Sequence, residues 1–223
     1  MKASIAKIRH ALIGRLGFRS AGQPEKSPDR APDYPWLAAY PLGVDWSEGI
    51  EARALHTVMD DAARRFAENR CIDFLGKTYT YREIGEQMNR AAKGFQHLGV
   101  GKGVKVGLCL PNTPYAVICY YAILKAGGTV VNYNPLYVER ELAQQVEDSE
   151  TDIMVTLDLE QIYPKVAALL ESTRLRHLVV CRMSDILPTL KGMLFSTLKA
   201  SEVADIPEDV QHIPFANLVN NDG

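Results

Sequence analysis

The chain has 223 residues, is 47% hydrophobic and 23% charged, and carries a formal net charge of −2. These values fit a folded chain with one large or two small domains and exclude a disordered polyelectrolyte. With no global excess of cations, nucleic acid is not an expected partner. The charge is uneven, however: residues 1–30 hold seven Lys and Arg against only Glu25 and Asp29. Cys71, Cys109, Cys119 and Cys181 stand apart without a C-x-x-C pair, and the histidines are scattered. Reduced, buried thiols are the expectation, with no metal site built from side chains. The longest uncharged run, 106–124, is broken by Pro111, Asn112, Thr113 and Pro114. The apolar helix that remains is about 11 residues, against roughly 20 for a membrane span. A secretory signal is not expected, because the N-terminal residues lack a continuous apolar core.

In residues 1–20, Ile5, Ile8, Leu12 and Leu16 recur at helical spacing among basic residues, although Arg15 and Arg19 interrupt the apolar face. A helix lying on an anionic membrane surface and a floppy basic leader are both compatible with this pattern. Residues 20–35, rich in proline and polar groups, read as a linker. A helix is expected over 54–68, with Leu55, Val58, Met59, Ala62 and Phe66 as its buried stripe. CIDFLGKTYTY alternates around Gly76-Lys77 and predicts a hairpin. Thr80 and Glu83 have capping-box spacing and open a helix that runs to Leu98, with Gly99 after it.

KVGLCL (105–110) predicts a strand covered on both faces. Asn112 or Thr113 is placed to cap the next helix, Tyr115–Lys125, which is apolar almost all round and so expected to be buried. TVVNY is a strand, and NPLY leads to a helix with Val138, Leu142 and Val146 on one face. DIMVTL (152–157) is a strand, Pro164–Ser172 a helix and HLVVC (177–181) a strand. The order βαβαβαβ from Lys105 to Cys181 predicts an α/β fold, a doubly wound, mainly parallel sheet with flanking helices. Beyond residue 183 the pattern is irregular, with an apolar segment suited to a short helix on a surface.

The glycines do not form a nucleotide fingerprint. GVGKG (99–103) follows a helix and precedes a strand, the reverse of a dinucleotide loop, and reads as a turn. Gly127-Gly128 reads as a tight helix-to-strand connection. VERELAQQVEDSE (138–150) reads as a solvated acidic face, and Tyr115, Tyr120 and Tyr121 as core residues with bonded hydroxyls.

Two segments nevertheless resemble a known family. TYTYREI (78–84) is similar to the first core motif of the adenylate-forming, AMP-binding ligases, and LKAGGTVVNYNPLY (124–137) to their second. NYNPLYVERELAQQVEDS and YPWLAAYPLGVDW resemble the long-chain fatty-acid–CoA ligase branch in particular. The similarity covers about residues 34–182. It implies an acid–thiol ligase that uses ATP and Mg²⁺ to convert a long-chain fatty acid to acyl-AMP, then coenzyme A to release acyl-CoA. The transition state of such chemistry needs preorganised charge around phosphorus in a dry site.

The family's phosphate-binding motif, close to [ST]-[SG]-G-T-T-G-x-P-K-G, does not occur in these residues, nor do the motifs that follow it. The expectation is therefore a leader and linker over 1–33 and a partial ligase domain over 34–223, ending before the phosphate loop. No catalytic, cofactor-binding or metal-binding residue carries over. ATP, Mg²⁺ and coenzyme A belong to the full-length family and are not expected to bind these residues well. Asn134, Pro135 and Tyr137 mark a substrate-side turn at the end of a strand, where ligands of such sheets bind. A cytoplasmic chain is expected, with peripheral attachment to anionic membrane through residues 1–20. A non-catalytic α/β module that binds an acyl chain or a protein partner is the alternative reading.

Overall fold

The computed structural model describes residues 34–223 apart from Trp46. The leader and linker expected over 1–33 lie outside the described residues. The chain divides between Glu51 and Ala52 into two units. In the first, Pro35–Ala39 form a 3-10 turn with proline at its opening position. The rings of Tyr34 and Trp36 stack across it at 4.5 Å.

The second unit begins with α1 (His56–Arg65). Its predicted buried stripe is corrected by the structure: only Met59 is buried, while Leu55, Val58 and Phe66 are exposed. The helix docks through Met59 and the half-buried alanines beside it. Ala63 lies so close to the following long helix that a side chain on Gly85 would meet it at 2.8 Å. Phe66 takes a tilted ring contact with Tyr81.

The expected hairpin is present as β1 (Arg70–Phe74) and β2 (Lys77–Thr80), paired antiparallel. Its two turn residues, Leu75 and Gly76, both have positive φ, 52° and 94°. Two left-handed residues in a two-residue loop match the right-handed twist of the strands. Glycine adopts that conformation freely, whereas for Leu75 it costs about 1–2 kcal/mol.

The capping box forms as predicted at the start of α2 (Tyr81–His97). Thr80 Oγ1 accepts from the Glu83 amide at 3.2 Å, and the Glu83 carboxylate accepts from the Thr80 amide at 2.7 Å. Ile84, Met88, Ala91, Ala92 and Phe95 form the buried face, and Gly99 ends the helix with φ of 83°.

The rest alternates. β3 (Lys105–Cys109), α3 (Pro114–Lys125), β4 (Thr129–Asn132), α4 (Glu139–Ser149) and β5 (Ile153–Leu157) come first. The helix expected over 164–172 is divided at Ala168 into α5 (Tyr163–Ala167) and α6 (Leu169–Ser172). Then come β6 (His177–Cys181), α7 (Thr189–Leu198), β7 (His212–Pro214) and α8 (Phe215–Leu218). The five strands β3 to β7 form one parallel sheet in the order β4-β3-β5-β6-β7. The predicted fold class therefore holds. The strand β7 was not visible in the sequence, being three residues long and ending in proline.

Strand alternation sends the two side-chain sets into separate cores. Val106, Leu108, Ile153, Val155, Leu157 and Val179 face a core shared with α1, α2, α3 and α8. Cys109, Met154, Leu178 and Val180 face a second core with α4, α5 and α6. Helix α3 lies on one face and α4 on the other because the chain reverses its direction across the sheet after β4. Gly107 pairs with Met154 in the ladder. A side chain there would come within 2.5 Å of Met154 Sδ and 2.7 Å of the Tyr133 ring, so the bare position makes room for both. All four cysteines are free, with Cys109, Cys119 and Cys181 fully buried and Cys71 partly so.

Candidate functional site at the carboxyl ends of the strands

In an open parallel sheet, ligands bind outside the carboxyl ends of the strands, where the strand order reverses. Here that point lies between β3 and β5. Two clefts open along this edge.

The first, about 600 Å³, lies beside the end of β3 and runs along α3. The hairpin contributes Ile72 and Phe74 to its wall, and α3 contributes Ala116, Val117, Tyr120 and Tyr121. These four α3 residues are half-buried, which corrects the expectation of a helix buried all round. Tyr115 alone behaves as the predicted core tyrosine. It is buried, its hydroxyl donates to the Arg182 carbonyl at 3.2 Å, and burial pushes its pKa up. Thr113 occupies the capping position of α3, as one of the two sequence candidates required. Its side chain makes no capping bond, and Oγ1 is buried without a partner. The expected cap is therefore only positional, and Pro114 supplies the helical φ at the first turn.

The second cleft, about 1060 Å³, spans the ends of β5, β6 and β7. Asp158 follows β5 and is buried at 6% exposure. It accepts from the Met183 amide at 2.8 Å. Burial raises its pKa above the ordinary 3.8 despite that bond and the neighbouring Arg182. Across the cleft, His212 Nδ1 lies 2.8 Å from Asp209 Oδ1, while Nε2 is buried without a partner. Asp205, Glu208 and Asp209 join Asp158 in the wall, with Arg182 as the opposing cation.

The Asp158 carboxyl has a testable consequence. The folded chain holds its proton more tightly than the unfolded chain does. The stability it contributes is thus full below pH 3.8 and is lost as pH rises through the folded pKa. Asp158→Asn keeps an acceptor for Met183 and removes the buried charge. Its Tm is expected above that of the parent at neutral pH and equal to it in acid. A variant Tm below the parent's at neutral pH would show that the charge is compensated.

The three residues singled out from the sequence sit at the end of β4, one strand away from the reversal. Asn134 Oδ1 accepts from the Leu136 amide and its carbonyl from the Tyr137 amide, both at 3.0 Å. Lys165 donates to the Pro135 carbonyl. Asn134 and Tyr137 are exposed and Pro135 is half-buried, so the turn is fastened to the sheet edge and open to solvent. Asp158, Thr113 and the α3 tyrosines line the clefts instead. Asp158 had a signal in the sequence, a carboxylate directly after IMVTL, a strand apolar at every position but Thr156. Among the described residues no group of His, Cys, Asp or Glu gathers as a metal site, and no helix is long and apolar enough to cross a membrane.

A model of the family described as AMP-binding enzyme matches residues 59–216, which includes both motif segments, the first cleft and all of the second but Asn217. The chain belongs to the AMP-binding enzyme family. Among curated family members, a long-chain-fatty-acid–CoA ligase of Bacillus subtilis is 33% identical over 186 residues, covering 83% of this chain and 31% of the relative. One from Salmonella typhimurium is 34% identical over 161 residues, covering 70% of this chain and 28% of the relative. A solved long-chain-fatty-acid–CoA ligase from Archaeoglobus fulgidus superposes with a TM-score of 0.52 at 26% identity, over 72% of this chain and 34% of its own. Coronafacic acid ligase from Pectobacterium brasiliense reaches a TM-score of 0.59 at 12% identity, over 75% of this chain and 29% of its own, and shares the fold. The chain thus spans about a third of the length of the AMP-binding relatives it matches.

Proposed function

We propose that residues 34–223 are a scaffold portion of a long-chain fatty-acid–CoA ligase, preceded by a leader and linker over 1–33. In this reading the sheet edge forms one wall of the site where a fatty acid is activated, with Asn134, Pro135 and Tyr137 on its rim. The observation that carries it is the 33% identity to the Bacillus subtilis long-chain ligase over 83% of this chain.

The cofactors of that chemistry are ATP, Mg²⁺ and coenzyme A, and the residues present do not fit a nucleoside triphosphate. The larger cleft sets four carboxylates against one guanidinium, a field that opposes phosphate. The loop after β3, Leu110 to Thr113, contains no glycine to form a phosphate cradle. No step of the reaction is assigned to these residues.

The purified 223-residue chain is expected to release no pyrophosphate from ATP when supplied with palmitate and Mg²⁺. Turnover above a protein-free blank would overturn the scaffold reading. The DNA downstream of codon 223 tests it independently. A frame encoding Thr-Thr-Gly-x-Pro-Lys-Gly supports the ligase assignment, and unrelated coding sequence behind an intact stop argues for a freestanding module.

A further inference from the structure

Two nearly buried acceptors line the larger cleft, beyond β5, β6 and β7, without being fully used. Asp158 is 6% exposed, and among the described residues Met183 is the one other residue that hydrogen-bonds its carboxylate. That bond takes Oδ1. Oδ2 is not one of the fully buried atoms left without a partner, so it is the oxygen open to the cleft that Asp158 lines. His212, its side chain 7% exposed, lines the same cleft. Asp209 Oδ1 holds its Nδ1, and the same bond keeps the Asp209 carboxyl below its ordinary pKa. An ionised carboxylate only accepts, so in the neutral ring the proton sits on Nδ1 and the unpartnered Nε2 is an acceptor too. Buried polar groups ordinarily have partners, and acceptors left over in a cleft wall call for a donor from outside the chain.

The wall around these acceptors is negative. Asp205, Glu208 and Asp209 are exposed on it, and among the described residues the only ion pair that any of the four carboxylates makes is Asp209 with His212. Arg182 is the single Lys or Arg of the lining and forms no ion pair with them. We infer that this cleft binds an aliphatic polyamine, with one ammonium group donating to the Asp158 carboxylate, a second facing Asp205 and Glu208, and the methylene chain against Phe195 and Ile206. An ammonium group offers three donors and no acceptor, which matches a wall of unused acceptors under a negative field. Size and chemistry favour an organic cation over a metal ion. The cleft holds about 1060 Å³, the scale of a small-molecule pocket. Among the described residues no three His, Cys, Asp or Glu converge to hold a metal. Such a site does not depend on the ligase reading.

The test is titration calorimetry of the full 223-residue chain with spermidine, with Mg²⁺ at equal ionic strength and an oligolysine peptide as controls. Spermidine is expected to bind one to one and saturably, and Mg²⁺ to give no saturable heat. Asp158→Asn should weaken spermidine binding about tenfold or more, since the ammonium loses its nearly buried counter-charge. The same substitution is expected to raise Tm at neutral pH, so its effect on binding is separable from unfolding. Asp205→Asn with Glu208→Gln, at exposed positions, should weaken binding by a factor of about three. Glu139→Gln with Asp148→Asn removes two charges from the exposed face of α4, away from the cleft, and should leave the affinity unchanged. Absence of saturable spermidine binding, equal saturable binding of Mg²⁺, or a folded Asp158→Asn chain with the parent's affinity would overturn the inference. So would equal weakening by the α4 substitutions, which would make the binding a general effect of charge. Binding of oligolysine without spermidine would overturn it as well and make the cleft a seat for a basic protein segment.

Discussion

Phe95→Ala is expected to lower the stability of the second unit by about 3–5 kcal/mol, the range for truncating a large buried aromatic. Phe95 is fully buried on α2 and belongs to the core between α2, α3 and the sheet. Its ring is completely enclosed, so truncation leaves a void inside that core. A loss of this size is a large share of the 5–15 kcal/mol that holds a typical domain. Chemical denaturation followed by circular dichroism measures it. A change below about 1 kcal/mol would mean that this core is loosely packed, outside the usual cost of such a truncation.

The residue next to it should behave differently. A side chain on Gly94 would lie 2.1 Å from the Leu218 carbonyl oxygen and 2.7 Å from Leu218 Cγ. Backbone cannot yield as a side-chain tip does, so Gly94→Ala must push α8 off α2. With α8 would go the bonds that fasten the residues after it: Asn221 to the Arg90 carbonyl at 3.0 Å and the Lys93–Asp222 ion pair. The Tyr115–Phe215 edge contact at 4.8 Å would loosen as well. We expect a global cost of about 1–3 kcal/mol, typical of overpacking. The sharper signature is local: rapid proteolysis and hydrogen exchange beyond Pro214 in a chain whose sheet stays protected. Protection after Pro214 equal to the parent's would show that α2 bends to accommodate the methyl group, and that α8 is not held by this contact.

Much of the fold was legible because each local signal agreed with the tertiary result. The capping box at Thr80 and Glu83, the apolar strands LCL and LVVC and the two-residue tip each depend on a few neighbouring residues. The errors arose where burial depends on distant packing. Helical periodicity placed Leu55 and Val58 inside, yet α1 packs inward through Met59 and its alanines, which leaves Leu55 and Val58 outside. The α3 helix is apolar all round, but its Tyr120 face borders a cleft. The site was less legible than the fold. Asn134, Pro135 and Tyr137 stood out because their motif does. The buried carboxyl of Asp158 and the orphan nitrogen of His212 come together only when β5 and β7 are placed on the same sheet, although 54 residues apart in the numbering from Asp158 to His212.

The strand order also bears on how the chain can assemble as it is made. β3, the first strand of the large sheet to leave the ribosome, finishes beside both β4 and β5. β4 adds at one side of it. β5, β6 and β7 then add in turn on the other side, each against the strand made just before it or against β3. Among the described residues, no later strand must be threaded between two that have already paired. Parallel sheets form slowly when distant strands must find one another. Outward growth from a first-made centre avoids that search, so elongation and folding can proceed in the same direction, one strand at a time.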